Sequence, residues 1–106
     1  MAIVDKSKLL SRRVAEDTVE IDGVGEVAVR AVTRYELLTA GKGVNEEKVP
    51  DLIERRMLVA GIVDPPLTMA EAEEWQKGAS AGEVGKVLQR IRELSALTEG
   101  AAKSGV

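Results

Sequence analysis

The segment "VEIDGVGEVAVRAV", residues 19–32, constrains the fold more than any other part of the chain. Apolar residues alternate with polar ones on both sides of the glycine-containing turn "DGVG". This period of two predicts an antiparallel hairpin with one buried face. Gly23 and Gly25 precede a strand and not a helix, so they indicate a turn rather than a phosphate-binding loop. Because a lone hairpin is only marginally stable in water, other elements must cover its apolar face.

Helical segments with clear start signals follow the hairpin. Capping boxes, in which a hydroxyl and a carboxylate three residues apart cap each other's amides, are predicted at Thr33 with Glu36, Thr68 with Glu71, and Ser80 with Glu83. They predict helices over 34–40, from Thr68 to near Gly78, and over 81–98.

Another helix is expected to begin near Pro50, because proline is tolerated in the first turn, and to end near Gly61. Its charged residues Glu54, Arg55 and Arg56 are expected to face outward. The predicted fold class is therefore α+β: a small single domain with an N-terminal two-stranded antiparallel hairpin packed on about four helices.

Composition sets the kind of core and the domain organisation. The chain has 106 residues, with no phenylalanine, one tyrosine and one tryptophan, so the core must be built of aliphatic side chains. Residues 1–17 are predicted to form a basic flexible arm, 18–98 the domain and 99–106 a flexible tail. Lys6, Lys8, Arg12 and Arg13 against Asp5 give the first fifteen residues a charge of +3. Such an arm is usually solvated, and contact with a phosphate or an acidic partner is the alternative.

The chain contains few residues that could carry out chemistry. It has no cysteine and no histidine, which excludes disulfides, thiolate nucleophiles and the commonest general base and transition-metal ligand. The clustered carboxylates Glu71, Glu73 and Glu74 are explained by a solvated helix face. We therefore expect no catalytic residue, no cofactor and no metal. With no apolar run of membrane-spanning length and no secretion signal, a soluble cytoplasmic protein is the default expectation.

A DNA-binding helix-turn-helix is one alternative for the C-terminal half. The segment "LTMAEAEEWQKGASAGEVGKVLQRIREL" contains two predicted helices, with Lys86, Arg90 and Arg92 on the second. The first turn of that second helix offers no arginine or asparagine to read base edges, and Glu83 would repel phosphate. The net charge of −3 also argues mildly against nucleic acid as a partner.

The stretch "GIVDPPLTMAEAEEW", residues 61–75, stops one helix at two prolines and starts the next. Trp75 at its end is expected to pack with Leu67, Met69 and Ala72 beneath the last helix. The alternative is that Trp75 is an exposed anchor for a partner, since tryptophan is enriched in binding hot spots. The last helix has an apolar stripe that is expected to pack in the core, with a partner interface as the alternative. The stripe comprises Val84, Val87, Leu88, Ile91 and Leu94.

The order of four segments resembles the tail assembly chaperones of long-tailed bacteriophages, especially those of actinobacterial hosts. The segments are "GEVAVRAVTRYE" at 25–36, "ERRMLVAGIVDPPLT" at 54–68, "EEW" at 73–75 and "GEVGKVLQRIRELSAL" at 82–97. In that family a helix ends in a "G-[IV]-V-x-P-x-L-T" break, and the last helix closes with "I-x-x-L-S-G-L". This chain has Ala96 where glycine is usual, and alanine would favour continuing the helix.

The resemblance implies a non-catalytic protein that coats the long tape measure protein, keeps it soluble and brings tail tube subunits to it. It also implies action in the host cytoplasm and absence from the finished virion, and often a longer frameshifted form. Self-association is possible. The candidate partner-binding residues are Leu67, Trp75, Val84, Leu88 and Ile91. The alternative functions are a structural head–tail or tail-completion subunit kept in the virion and, third, a small helix-turn-helix regulator.

Overall fold

The computed structural model describes residues 3–43 and 49–96. In these two ranges the chain forms five helices and a three-stranded antiparallel sheet, an α+β domain. The elements in chain order are α1 (Lys6–Leu10), β1 (Glu16–Ile21), β2 (Gly25–Arg30), α2 (Arg34–Ala40), α3 (Pro50–Gly61), β3 (Ile62–Asp64), α4 (Met69–Gly78) and α5 (Ala81–Leu94). None of these helices has the length and apolar character needed to cross a bilayer.

The predicted hairpin is confirmed. β1 and β2 pair antiparallel with Val19 opposite Val27 and Ile21 opposite Gly25. Val19, Ile21 and Val29 are buried, as the alternation requires. β1 begins at Glu16, inside the segment expected to be a flexible arm, and that segment also contains the short helix α1. No residue of α1 is buried.

A third strand, β3, was not predicted. It pairs antiparallel with β2, with Ile62 opposite Val29 and Asp64 opposite Ala28, and the register shifts between these two pairs. Three residues between Gly61 and two prolines are too few to show a period of two. The strand stops at Asp64 because Pro65 has no N–H to donate to the ladder.

α3 and α5 cover the buried face of the sheet, and the core is aliphatic, as composition predicted. Its largest fully buried side chains are those of Val29, Leu58, Val87 and Ile91. They come from β2, α3 and α5, so sheet and helices share one continuous core.

Two of the three predicted capping boxes are complete. Thr33 with Glu36 starts α2, and Thr68 with Glu71 starts α4. The third is only half formed: Ser80 Oγ accepts the Glu83 N–H at 3.2 Å, whereas the Glu83 carboxylate is hydrogen-bonded to Trp75.

The last helix is shorter than predicted. α5 ends at Leu94, and Ser95 and Ala96 form a turn in which Ala96 has the left-handed φ of 59°. Ser95 Oγ accepts the Val32 N–H at 2.8 Å and donates to the Ile91 carbonyl at 2.6 Å. The serine thus fixes the helix end to the residue two positions after β2. The predicted continuation to residue 98 and the tail over 99–106 reach beyond the described residues.

The prediction that Arg55 faces outward was wrong. Its guanidinium lies between α3 and α4, with nitrogens 2.7 Å from Asp51 and 3.2 Å from Glu73, and its Nε donates to Gln76 at 2.8 Å. Arg56 reaches back to the carboxyl end of α2, where it donates to the Ala40 carbonyl at 3.1 Å. Both cations join helices, which hydropathy patterning alone could not show.

Candidate partner-binding groove

One surface depression of the protein is almost wholly apolar. It lies between the tip of the hairpin, the proline break after β3 and the helix α4, and its volume is ≈ 350 Å³. Its lining residues are Ile21, Val24, Val27, Ile62, Pro65, Leu67, Trp75 and Glu83. We call this depression the Trp75 groove.

The hairpin turn builds one wall of the groove. Gly23 and Gly25 have φ values of 78° and 134°, a region of backbone space that side chains strongly disfavour. They hold Val24 at the tip, where its side chain is 72% exposed. A turn usually contains polar residues at such a position, so an exposed valine here leaves apolar area available to a partner.

Trp75 forms the opposite wall. The indole Nε1–H donates to Glu83 Oε2 at 2.7 Å, and the half-buried ring packs against the core. Glu83 lies in the first turn of α5, where the helix dipole favours a carboxylate. Because its one polar atom is satisfied, the exposed part of the ring offers only apolar surface. An indole held in this way needs little reordering when a partner binds against it.

The floor and remaining rim come from the proline break. Ile62 is buried at 5% exposure and forms the floor, while Pro65 is exposed and Leu67 is half-buried. Two prolines restrict the backbone of this rim. The proline rim and the buried floor therefore shape the groove without a ligand.

The structure separates the five candidate partner-binding residues into two groups. Leu67 and Trp75 both line the groove. Val84, Leu88 and Ile91 are 5%, 6% and 0% exposed, since α5 turns its apolar stripe onto the sheet. Their burial assigns these three residues to the core of the folded monomer, and none of them lines the Trp75 groove.

Sequence reasoning missed the contribution of the hairpin to the groove. Ile21, Val24 and Val27 of the hairpin line it together with the predicted pair, and Ile62 of β3 was missed as well. One signal was available in the sequence: Val24 is an apolar residue between two turn glycines. Trp75 and Leu67 both pack against the core and line the same depression, whereas Met69, also expected beside the indole, remains 36% exposed.

Several charged side chains form ion pairs that join elements of the fold. Arg30 and Glu36 form a two-pronged ion pair with N–O distances of 2.8 and 2.5 Å. This guanidinium lowers the pKa of Glu36 from 4.5 to about 2, and Glu36 also accepts the Thr33 N–H. Such a carboxylate stays ionised at neutral pH and cannot serve as a general base of useful strength.

Two of the three cations that suggested a recognition helix are engaged by β1. Lys86 Nζ donates to the Glu20 carbonyl at 2.6 Å, and Arg90 lies 2.6 Å from Asp17. Hydrogen bonding to the Thr18 N–H and to Arg90 lowers the pKa of Asp17. These side chains join α5 to the sheet, and their pairing weakens the case for a DNA-binding surface.

Across residues 3–43 and 49–96, no three acidic side chains come together in a group that could hold a metal ion. Every buried side-chain nitrogen and oxygen in these ranges has a hydrogen-bond partner. The Trp75 groove is lined almost wholly by apolar side chains, so what it can bind is apolar. Comparison with family models, with curated proteins and with solved structures finds no match to this chain.

Proposed function

We propose that this protein is a tail assembly chaperone of a long-tailed bacteriophage and that its Trp75 groove holds an apolar helical segment of the tape measure protein. The groove is the observation that carries the proposal. Its volume lies in the range of sites that admit compact apolar groups, and its walls are preformed. The resemblance in the order of sequence segments supports the same function.

The chemistry of the groove fits this client. A long helical protein presents apolar residues three or four positions apart along one face, and such a face aggregates when it is unprotected. A groove walled by Val24 and Trp75 can accept one or two of these side chains in the helix-in-groove manner. Covering a small apolar area gives weak binding, and many copies along one client would compensate through avidity.

The rest of the proposal follows from the resemblance. Chaperone copies on the tape measure protein would recruit tail tube subunits in the host cytoplasm and leave before the virion is complete. No catalytic step is involved.

Co-expression with the tape measure protein of the same phage tests the proposal. We expect the soluble fraction of the tape measure protein to rise when the chaperone is present. Val24→Asp and Leu67→Asp, which place a charge in the groove, should remove most of that gain. Leu38→Asp is a matched control, because Leu38 is 58% exposed on α2 and does not line the groove.

Two results would count against the proposal. The first is a tape measure protein whose solubility does not change with this chain present. The second is stoichiometric recovery of the chain from purified virions, which would favour a structural head–tail subunit.

A further inference from the structure

The N-terminal segment carries apolar side chains that stay exposed beside the rest of the described chain. Ile3, Val4, Leu9 and Leu10 are 95%, 56%, 57% and 75% exposed, and α1 contributes no buried residue. We call residues 3–13 the arm. Four large aliphatic side chains in eight residues are an unusual concentration for a surface, and they mark an interaction segment.

The charges of the arm and of the groove are opposite. Residues 1–15 carry +3 and the remainder of the chain carries −6, which sum to the net −3. Glu83 is the charged residue in the groove lining. Two more carboxylates lie next to lining residues in the sequence: Asp22 follows Ile21, and Asp64 precedes Pro65. Lys86, which lines the neighbouring depression, donates to the Glu20 carbonyl. The arm is thus basic and apolar, and the groove has apolar walls with acidic neighbours.

We propose that the α1 leucines of one copy dock in the Trp75 groove of a second copy, so that the free protein self-associates through its arm. The partner is a second copy of this chain, and the contact joins Leu9 and Leu10 to the walls formed by Val24, Leu67 and Trp75.

Within one copy the leucines of α1 do not occupy the groove. Leu9 and Leu10 are exposed, α1 buries no residue, and neither leucine is among the lining residues. The arm joins the sheet at Ala15, whose carbonyl accepts the Ala31 N–H at 2.8 Å. Both the leucines and the groove of one copy are therefore open to a second copy.

The inference goes beyond the proposed function, because the arm has the same chemistry as the client segment and would compete with it. Self-association would cover the groove until a client arrives. Since association of copies is measured without any tape measure protein, its failure leaves the chaperone proposal standing. Failure of the chaperone proposal likewise leaves the arm contact intact.

Sedimentation of the full-length protein over a range of concentrations tests the inference. We expect a complex of two or more copies that dissociates on dilution. The chain contains a single tryptophan, so its emission reports the groove and should shift to the red as copies separate. A protein that stays monomeric at its highest soluble concentration overturns the inference.

Variants then locate the contact. The double variant Leu9→Asp, Leu10→Asp, and separately Val24→Asp, should each raise the dissociation constant of the complex at least about tenfold. The control is the double variant Tyr35→Asp, Leu38→Asp on α2. The exposed fractions of Tyr35 and Leu38, 76% and 58%, closely match those of Leu10 and Leu9. Circular dichroism checks that each variant is folded. Equal dissociation of the control would show nonspecific association and overturn the inference.

Mixing gives the sharpest test. The arm variant retains its groove and the Val24→Asp variant retains its arm, so each alone should be monomeric while their mixture should form a mixed pair. A mixture that remains monomeric contradicts docking of the arm in the groove, even if the unaltered protein associates.

Discussion

Gly61, the last residue of α3, lies against the fully buried side chain of Ile91. A Cβ placed on Gly61 would be 2.5 Å from Ile91 Cδ1 and 2.8 Å from Cγ2. Intrinsic helix propensity favours alanine over glycine by about 1 kcal/mol, but overlap with a branched core side chain costs more than that. Glycine is therefore required at this position by packing, in addition to ending the helix.

We predict that Gly61→Ala lowers the free energy of unfolding by about 1–3 kcal/mol, measured by urea denaturation. The loss should be smaller when Ile91→Val is also present, because that change removes the nearest methyl group. Gly85→Ala is the control: beyond its own helical turns, no atom lies within 4 Å of the position that a Cβ would occupy, so it should raise stability by about 0.5–1 kcal/mol. A neutral Gly61→Ala would contradict the packing argument.

Ala96 adopts the left-handed conformation with a φ of 59° just after α5. That conformation costs a non-glycine residue about 1–2 kcal/mol, and glycine at this position would avoid the cost. Glycine also has more conformational freedom in the unfolded chain, which lowers the gain in stability by about 0.5–1 kcal/mol. Ala96→Gly should therefore raise the free energy of unfolding by about 0.5 kcal/mol in urea titrations. Ala70→Gly within α4 should do the opposite and cost about 1 kcal/mol. If both changes destabilise, Ala96 is not strained.

At the scale of elements, the corner between β2 and α2 depends on one ion pair. Arg30 and Glu36 are half-buried, and the pKa of Glu36 is lowered from 4.5 to about 2 chiefly by hydrogen bonding to Arg30. A carboxyl whose pKa is depressed by folding contributes stability that is fully present above its ordinary pKa. That stability is lost as pH falls through the folded value.

We predict that the pair contributes about 1–2 kcal/mol at pH 7, less than the full shift implies because solvent screens a part-exposed carboxylate. This contribution should disappear as pH falls from 4.5 toward 2. Glu36→Gln and Arg30→Gln should each lower stability at pH 7 and flatten the pH dependence in that interval. Urea denaturation at several pH values measures the free energy of unfolding. If its dependence on pH between 4.5 and 2 is the same in both variants as in the unaltered protein, the ion pair does not cause that dependence.

Local signals predicted most elements because each depends on residues close together in sequence. The hairpin follows from alternation around "DGVG", and α2 and α4 from complete capping boxes. Apart from the short exposed helix α1, what the sequence missed depends on distant partners. β3 exists only because β2 offers it an edge, and α5 stops where Ser95 meets Val32, which is 63 residues away.

The same distinction explains what was predicted of the groove. Leu67 and Trp75 could be identified because a proline break and a single tryptophan stand out in the sequence. The opposite wall comes from a hairpin about 50 residues earlier, and nothing local associates Val24 with Trp75. The α5 stripe was ambiguous because a periodic apolar face looks alike whether it covers a sheet or binds a partner.

At the scale of the whole molecule, stability is unevenly distributed. The large fully buried side chains belong to β2, α3 and α5, whereas α4 buries only the small Ala72 and α1 buries none of its residues. α4 is held by polar contacts, notably Trp75 with Glu83 and Gln76 with Arg55. Regions with few buried apolar contacts open without global unfolding, so we expect α4, with one wall of the groove, to open more easily than the core.

Amide hydrogen exchange tests this distribution. The slowest amides should lie in β2, the last turn of α3 and the middle of α5, while those of α1 should exchange close to the rate of an unfolded chain. Trp75→Phe keeps an aromatic ring but removes the Nε1 donor, at a cost of about 1 kcal/mol. Exchange in α4 should then quicken about fivefold while β2, α3 and α5 keep their protection. Uniform loss of protection across all four elements would instead make Trp75 part of the global folding core, and the groove would then be no more mobile than the sheet beneath it.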